Sequence, residues 1–205
     1  VAPLTVLLAG GLAMASRGSG TLLMALSSVI LLFVVAVVLH ARMYALRPDP
    51  SRLTLFYLAM SVGGALGGAF TALIAPLVFD WVWEHPLLIL AAALLMPLPK
   101  LYDWRQLPGL SPVLIHVGVA GVMVFALFMA MELFPLVLFN TPGIKRTLLT
   151  IGIALAGLLM VPWRTLYVLV LLGSILAEAG PDKIYTTWDG LRSRSYFGIY
   201  TVRDY

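Results

Sequence analysis

The chain contains no cysteine, so it can build no disulfide framework, thiol nucleophile or thiolate metal site. Charge is scarce too. Only 11% of its 205 residues are Asp, Glu, Lys or Arg, against about 25% in soluble domains. The three histidines, His40, His85 and His116, are spread along the chain with none of the short spacings that mark a metal motif. No basic stretch is interleaved with aromatics, so nothing offers nucleic acid a binding face. The first apolar run begins at Val1 with no basic segment before it. That is unlike a signal peptide and reads as a piece cut from something longer. What the chain has instead is apolar mass: 61% hydrophobic residues and a mean hydropathy of +1.02. This composition belongs to an integral membrane protein whose main partner is the lipid bilayer.

The longest uncharged run, 54–79, is the organising element. About 20 apolar residues suffice to cross the hydrocarbon core. Within it, Gly63, Gly64, Gly67 and Gly68 form two side-by-side GxxxG pairs, continued at helical spacing by Thr71 and Ala72. Water cannot drive helices together in lipid, so close backbone approach across small residues becomes a main source of packing energy. The expectation is that neighbouring helices pack against this face. A phosphate-binding loop would need such glycines between a strand and a helix N-terminus, and no strand precedes them.

Further apolar runs fall at 1–15, 21–41, 86–98, 113–134, 147–161 and 166–177. The expected architecture is an all-α polytopic membrane bundle of six to seven transmembrane segments over residues 1–178. Residues 86–98 are short for a span and could instead re-enter. Orientation stays open, because basic residues are nearly balanced between the two sides. After Glu178 the composition turns polar. Aromatic and β-branched residues alternate over 196–202 and predict a short β-strand, the start of a soluble domain within 179–205.

Polar residues in or beside the spans are the candidate polar sites. Glu132 is the only acid inside a clear span, where an ionisable group is expensive to keep. It serves either as a proton or cation site or as a side chain reaching the interface. His40 and His116, near span ends, are either titrating groups or interfacial anchors. Glu84 and His85, beside Asp80 and between Trp81, Trp83 and Pro86, could gather a metal or a polyamine, since acids and aromatic faces both attract cations. The plain alternative is an interfacial aromatic belt.

Two stretches carry a resemblance. Residues 39–48, LHARMYALRP, run on through 53–68, LTLFYLAMSVGGALGG, to 70–79, FTALIAPLVF, and Glu84-His85-Pro86-Leu87. This series is similar to the membrane part of the bacterial fused transporter-like/spermidine synthase-like proteins. Residues 194–202, RSYFGIYTV, resemble the opening of that family's aminopropyltransferase-like domain. Arg42, Leu55, Ala59 and Thr71 stand where the family pattern has Glu, Glu, Trp and Asn. The resemblance implies an inner-membrane anchor for a polyamine-synthesising transferase domain that lies beyond Tyr205, with a polyamine as a prospective further partner. It places no catalytic residue, cofactor or metal in this chain, because the glycine-rich nucleotide loop and paired acids belong to the other domain. The reading from a different class is a transporter or permease fragment for a small amine or other solute.

Overall fold

The computed structural model describes residues 2–11, 21–99, 111–118, 120–121, 152 and 156–202. Its elements are helices α1 (Ala2–Gly11), α2 (Thr21–Ala45), α3 (Leu53–Ala69), α4 (Ala75–Val78), α5 (Glu84–Leu95) and α6 (Arg164–Trp188), then strands β1 (Arg192–Ser195) and β2 (Gly198–Thr201). The protein is therefore mainly helical, with a small strand element at its C-terminal end.

The core forms where three helices present matching stripes. On α1 the buried residues are Pro3, Val6, Leu7, Gly10 and Gly11; on α5 they are Pro86, Ile89, Ala92 and Ala93. On α6 they are Leu166, Tyr167, Val170, Leu171, Ser174 and Ile175. Each set recurs at three- and four-residue intervals, so each occupies one face of its helix. Leu31 of α2 and Trp81 join this cluster. Inside it the buried Tyr167 hydroxyl donates to the Pro3 carbonyl at 2.7 Å, which gives a phenol among apolar neighbours the partner it needs.

Two helices are long and apolar enough to cross a membrane, Ala25–Ala45 and Pro50–Val78, of 21 and 29 residues. Three shorter apolar helices, Ala2–Gly11, Glu84–Leu95 and Arg164–Leu176, accompany them. Among the described residues the count of span-length helices is thus two, below the six to seven expected. The runs expected at 113–134 and 147–161 fall mostly outside the described residues, as do both edges of the run at 1–15, and α5 is short. At a rise of about 1.5 Å per residue, the 12 residues of α5 extend about 18 Å. The final apolar run is not a separate short segment. It is the first half of α6, which continues through residue 178 to Trp188.

The long helix is not uniform. Between α3 and α4 it widens into a π-helical turn, Phe70–Ile74, where the Ala75 amide donates to the Phe70 carbonyl five residues back. Pro76 supplies the reason. It has no N–H for the carbonyl four residues earlier and its ring crowds that carbonyl, so the ladder shifts register just before it. The Thr71 hydroxyl donates to the Gly67 and Gly68 carbonyls, at 3.0 and 3.2 Å. The helix recovers and ends at Val78.

The glycine face meets no partner among the described residues. Gly63, Gly64, Gly67 and Gly68 are exposed, and a Cβ placed on any of them would meet no atom within 4 Å among the described residues; Ala72 is exposed as well. Close packing on small residues does occur, but at other glycines. A Cβ on Gly10 would sit 3.0 Å from Ile89, and one on Gly157 would sit 2.6 Å from Leu7. One on Gly11 would collide with the Ser174 hydroxyl. The tight glycine contacts join α1 to α5, to α6 and to the helical turn at 156–160, and the α3 glycines take no part in them.

The lone strand expected at 196–202 is a hairpin instead. β1 and β2 pair antiparallel, from Arg192 opposite Thr201 to Ser195 opposite Gly198. Tyr196 and Phe197 form the turn, so half of the expected strand is the bend and the residues before it are the partner. Gly190 sets the chain up for this. At φ +65° it ends α6, its amide donating to Thr187 O and that of Leu191 to Thr186 O. That left-handed helix ending is one that glycine adopts without steric cost.

Candidate functional site

The bundle has two polar ends. At the first, Arg42 donates through Nη1 to the Leu95 carbonyl, and Arg164 through Nη2 to the Met96 carbonyl at 3.4 Å. These are the last carbonyls of α5, which have no partner within their own helix, and cations there also oppose the helix dipole. Two arginines from distant helices thus close one end of α5. Its other end, at Glu84, lies among the polar residues of the opposite end.

That opposite end is the candidate site. Glu84 opens α5, and Asp80 lies in the short loop after α4. Arg194 of β1 grips Glu84 with both arms of its guanidinium: Nη2 donates to Oε1 at 2.6 Å and Nη1 to Oε2 at 2.9 Å. The same Nη1 donates to the Trp81 carbonyl at 2.8 Å. Both side chains are nearly buried, 11% exposed for Arg194 and 12% for Glu84. Such a two-pronged, charge-assisted contact is stronger and more directional than a single bond. The Arg194 guanidinium holds the Glu84 carboxyl below the usual 4.5, with burial opposing it more weakly. Reciprocally, the Glu84 carboxylate raises Arg194 above its ordinary value.

Asp80 is equally engaged. Its Oδ1 accepts from Trp83 Nε1 at 3.1 Å and its Oδ2 from the Thr187 hydroxyl of α6 at 2.8 Å. Arg192 Nη1 stands 3.6 Å from Oδ2, an ion pair too long for a hydrogen bond. The Arg192 side chain is only 4% exposed, and Nη1 has no hydrogen-bond partner. Its Nη2 donates to the Lys183 carbonyl at 3.4 Å. The Lys183 ammonium lies 5.1 Å over the Trp81 ring, and Trp81 and Trp83 meet edge to face.

Among the sequence candidates, then, Glu84 is part of a built cluster together with Asp80. His85 is exposed, and its imidazole interacts electrostatically with the neighbouring Glu84. His40 is exposed on α2, where its Nδ1 shares a hydrogen bond with the Ala36 carbonyl one turn back at 2.7 Å. His116 makes the same kind of bond to the Pro112 carbonyl and leans toward Trp163. Glu132 lies outside the described residues. No group of three metal-capable side chains occurs among the described residues, and the lone pairs that Asp80 and Glu84 could offer a cation are directed at the protein's own donors.

The residues that sequence reasoning missed are Arg192 and Arg194. Their signal was present in Arg192-Ser193-Arg194-Ser195, where period-2 alternation puts both arginines on one face of a strand. Asp80 and Glu84, four apart, are the matching pair. Set against known proteins, the chain matches no family model, no curated protein and no solved structure.

Proposed function

We propose that the chain is the membrane-embedded part of a spermidine synthase-like fusion protein of the bacterial inner membrane. It crosses the bilayer six to seven times and carries no catalytic residue. Its role is to fix an aminopropyltransferase-like domain of polyamine biosynthesis at the membrane and to pass a polyamine or related amine to it. The observation that carries this reading is the Glu84–Arg194 pair. The two stretches that resemble the fused family, one ending at residues 84–87 and the other beginning at 194, lie 110 positions apart and meet through those two side chains. A membrane part that grips the opening hairpin of the following domain is what an anchor requires.

Reading the coding sequence past Tyr205 tests the anchor role. A glycine-rich nucleotide loop within about a hundred residues, one domain's length, is expected. A stop codon or an unrelated segment there would overturn it. The π-helical turn at Phe70–Ile74 favours a second reading, a permease, since interrupted helices line substrate paths in transporters. Labelled spermidine uptake into vesicles holding the protein, compared with empty vesicles and with Glu132→Gln, separates the two. Equal uptake in all three removes transport.

A further inference from the structure

We propose that the C-terminal hairpin is a releasable element, latched onto the membrane bundle by the charge pairs Asp80–Arg192 and Glu84–Arg194 and set free when either carboxylate is neutralised. The latch stands whether or not a synthase-like domain follows the hairpin.

The reasoning starts from what the hairpin lacks. β1 reads Arg-Ser-Arg-Ser and brings no apolar side chain to the bundle. The apolar residues of the turn and of β2 point away from it: Tyr196, Phe197, Tyr200 and Val202 are exposed, Phe197 by 96%. A two-stranded hairpin alone in water is marginal at best. What seats this one is polar: the forked Arg194 contact on Glu84, its bond to the Trp81 carbonyl, and Arg192 beside Asp80.

Those contacts are conditional on charge. Arg192 is buried with one nitrogen unpaired, a costly state that only a nearby anion offsets. The groups facing the site are Asp80 and Glu84 from the loop and α5, with His85 alongside, Lys183 and Thr187 from α6, and Arg192 and Arg194 from β1. Among the described residues two arginines therefore share two carboxylates. Removing one carboxylate leaves two arginines beside the other, and water becomes the better environment for the unpaired one. The bundle core of α1, α5 and α6 contains none of these groups, so the hairpin can leave while the helices stay packed. Because Arg194 holds the Glu84 carboxyl below 4.5, docking persists above that pH and is lost as pH falls beneath it.

The absence of native cysteine permits clean site-directed labelling. Nitroxides on Ser61→Cys in α3 and Ser193→Cys on the outer face of β1, in the full chain in phosphatidylcholine vesicles, report the separation of hairpin and helix. A second pair, Ser61→Cys with Thr165→Cys at the start of α6, reports the bundle. The expected result is one narrow hairpin distance at neutral pH. It broadens severalfold in Glu84→Gln and in Asp80→Asn, and in the parent as acidification below the ordinary glutamate range protonates the Glu84 carboxylate. The bundle distance stays narrow throughout. Exchanging the charges, Glu84→Arg with Arg194→Glu, restores the narrow hairpin distance. A hairpin distance that stays narrow in the Asp80→Asn, Glu84→Gln double variant overturns the latch. So does a charge exchange that restores nothing, and so does a bundle distance that broadens together with the hairpin, since the acids would then be holding the helices themselves.

Discussion

Two sets of glycines in this chain have opposite fates. Gly63, Gly64, Gly67 and Gly68 form the more regular pattern, yet they look out on open space among the described residues. Gly10, Gly11 and Gly157 form no motif, yet they sit where helices come closest. Small residues permit close approach but do not summon a partner. The partner has to present a matching surface. Around α1 that surface exists: Ile89 of α5, Leu171 and Ser174 of α6, and Leu7 reaching toward Gly157. On α3 the neighbours along the outward face are Leu55, Leu58, Val62 and Leu66, all exposed, so nothing in the described chain has the shape to enter the groove.

The strongest way to break this contrast is to fill the tight site. Gly11→Leu drives a side chain into the Ser174 side chain of α6, which must move and take the helix contact with it. Overpacking of this kind typically costs about 1–3 kcal/mol and sometimes more; two closely packed helices place this case at about 3. Thermal unfolding in detergent micelles should show a loss of many degrees or no folded protein. A melting temperature equal to the parent's would mean that α1 does not pack where it is drawn.

Next in size is the polar end. Glu84→Ala leaves the nearly buried Arg194 without its counter-charge, a change that costs about 3–5 kcal/mol for a fully buried pair. The residual exposure of both partners reduces this to about 2 kcal/mol for the hairpin. Hydrogen exchange should register it as roughly thirtyfold faster exchange of the β1 and β2 amides, with α6 unchanged. In the parent the same protection should hold above pH 4.5 and decline below it, the sign set by a carboxylate whose folded pKa lies under 4.5. Protection that rises on acidification would contradict the ion-pair account.

How much of this was readable in advance follows from the range of the interactions. Composition settles the apolar, helical character because it sums over every residue. The end of α2 and the start of α3 follow from a local feature, Pro48-Asp49-Pro50. The hairpin was half legible: alternation marked the strand, but the bend fell at Tyr196-Phe197, which carries neither Gly, Asn nor Pro to announce it. The π-helical turn had its cause in Pro76, whose effect on the preceding register is local and could have been anticipated. The charge pairs were not legible. Glu84 looks alike whether it faces water, a polyamine or an arginine 110 positions away, because that choice is made by how α5 and α6 lie against each other.

A subtler probe of the core is Tyr167→Phe. It preserves the ring and removes only the hydroxyl that donates to the Pro3 carbonyl. The expected cost is about 1–2 kcal/mol, most of it from the acceptor left unpaired in a dry interior. Thermal unfolding should show a modest drop, larger than for Tyr57→Phe on the exposed side of α3. Equal effects at the two positions would mean that the bond to α1 adds nothing.

The smallest expected effect is the most discriminating. Leucine at position 64 or 68 adds a side chain where no atom lies within 4 Å, so there is nothing to collide with. Replacing glycine in a helix also removes conformational freedom from the unfolded chain, a gain of about 0.5–1 kcal/mol relative to a side-chain-bearing residue. Taken together, stability measured on dilute protein in detergent should change little or rise slightly, by less than about 1 kcal/mol. Gly11→Leu and Gly64→Leu thus form a matched pair: the same chemical change, in helices of similar composition, with opposite consequences. If Gly64→Leu instead destabilises as much as Gly11→Leu, the α3 face is covered by other chain or by a second molecule. Protein dilution tells these apart, because only a contact between molecules makes the loss depend on concentration.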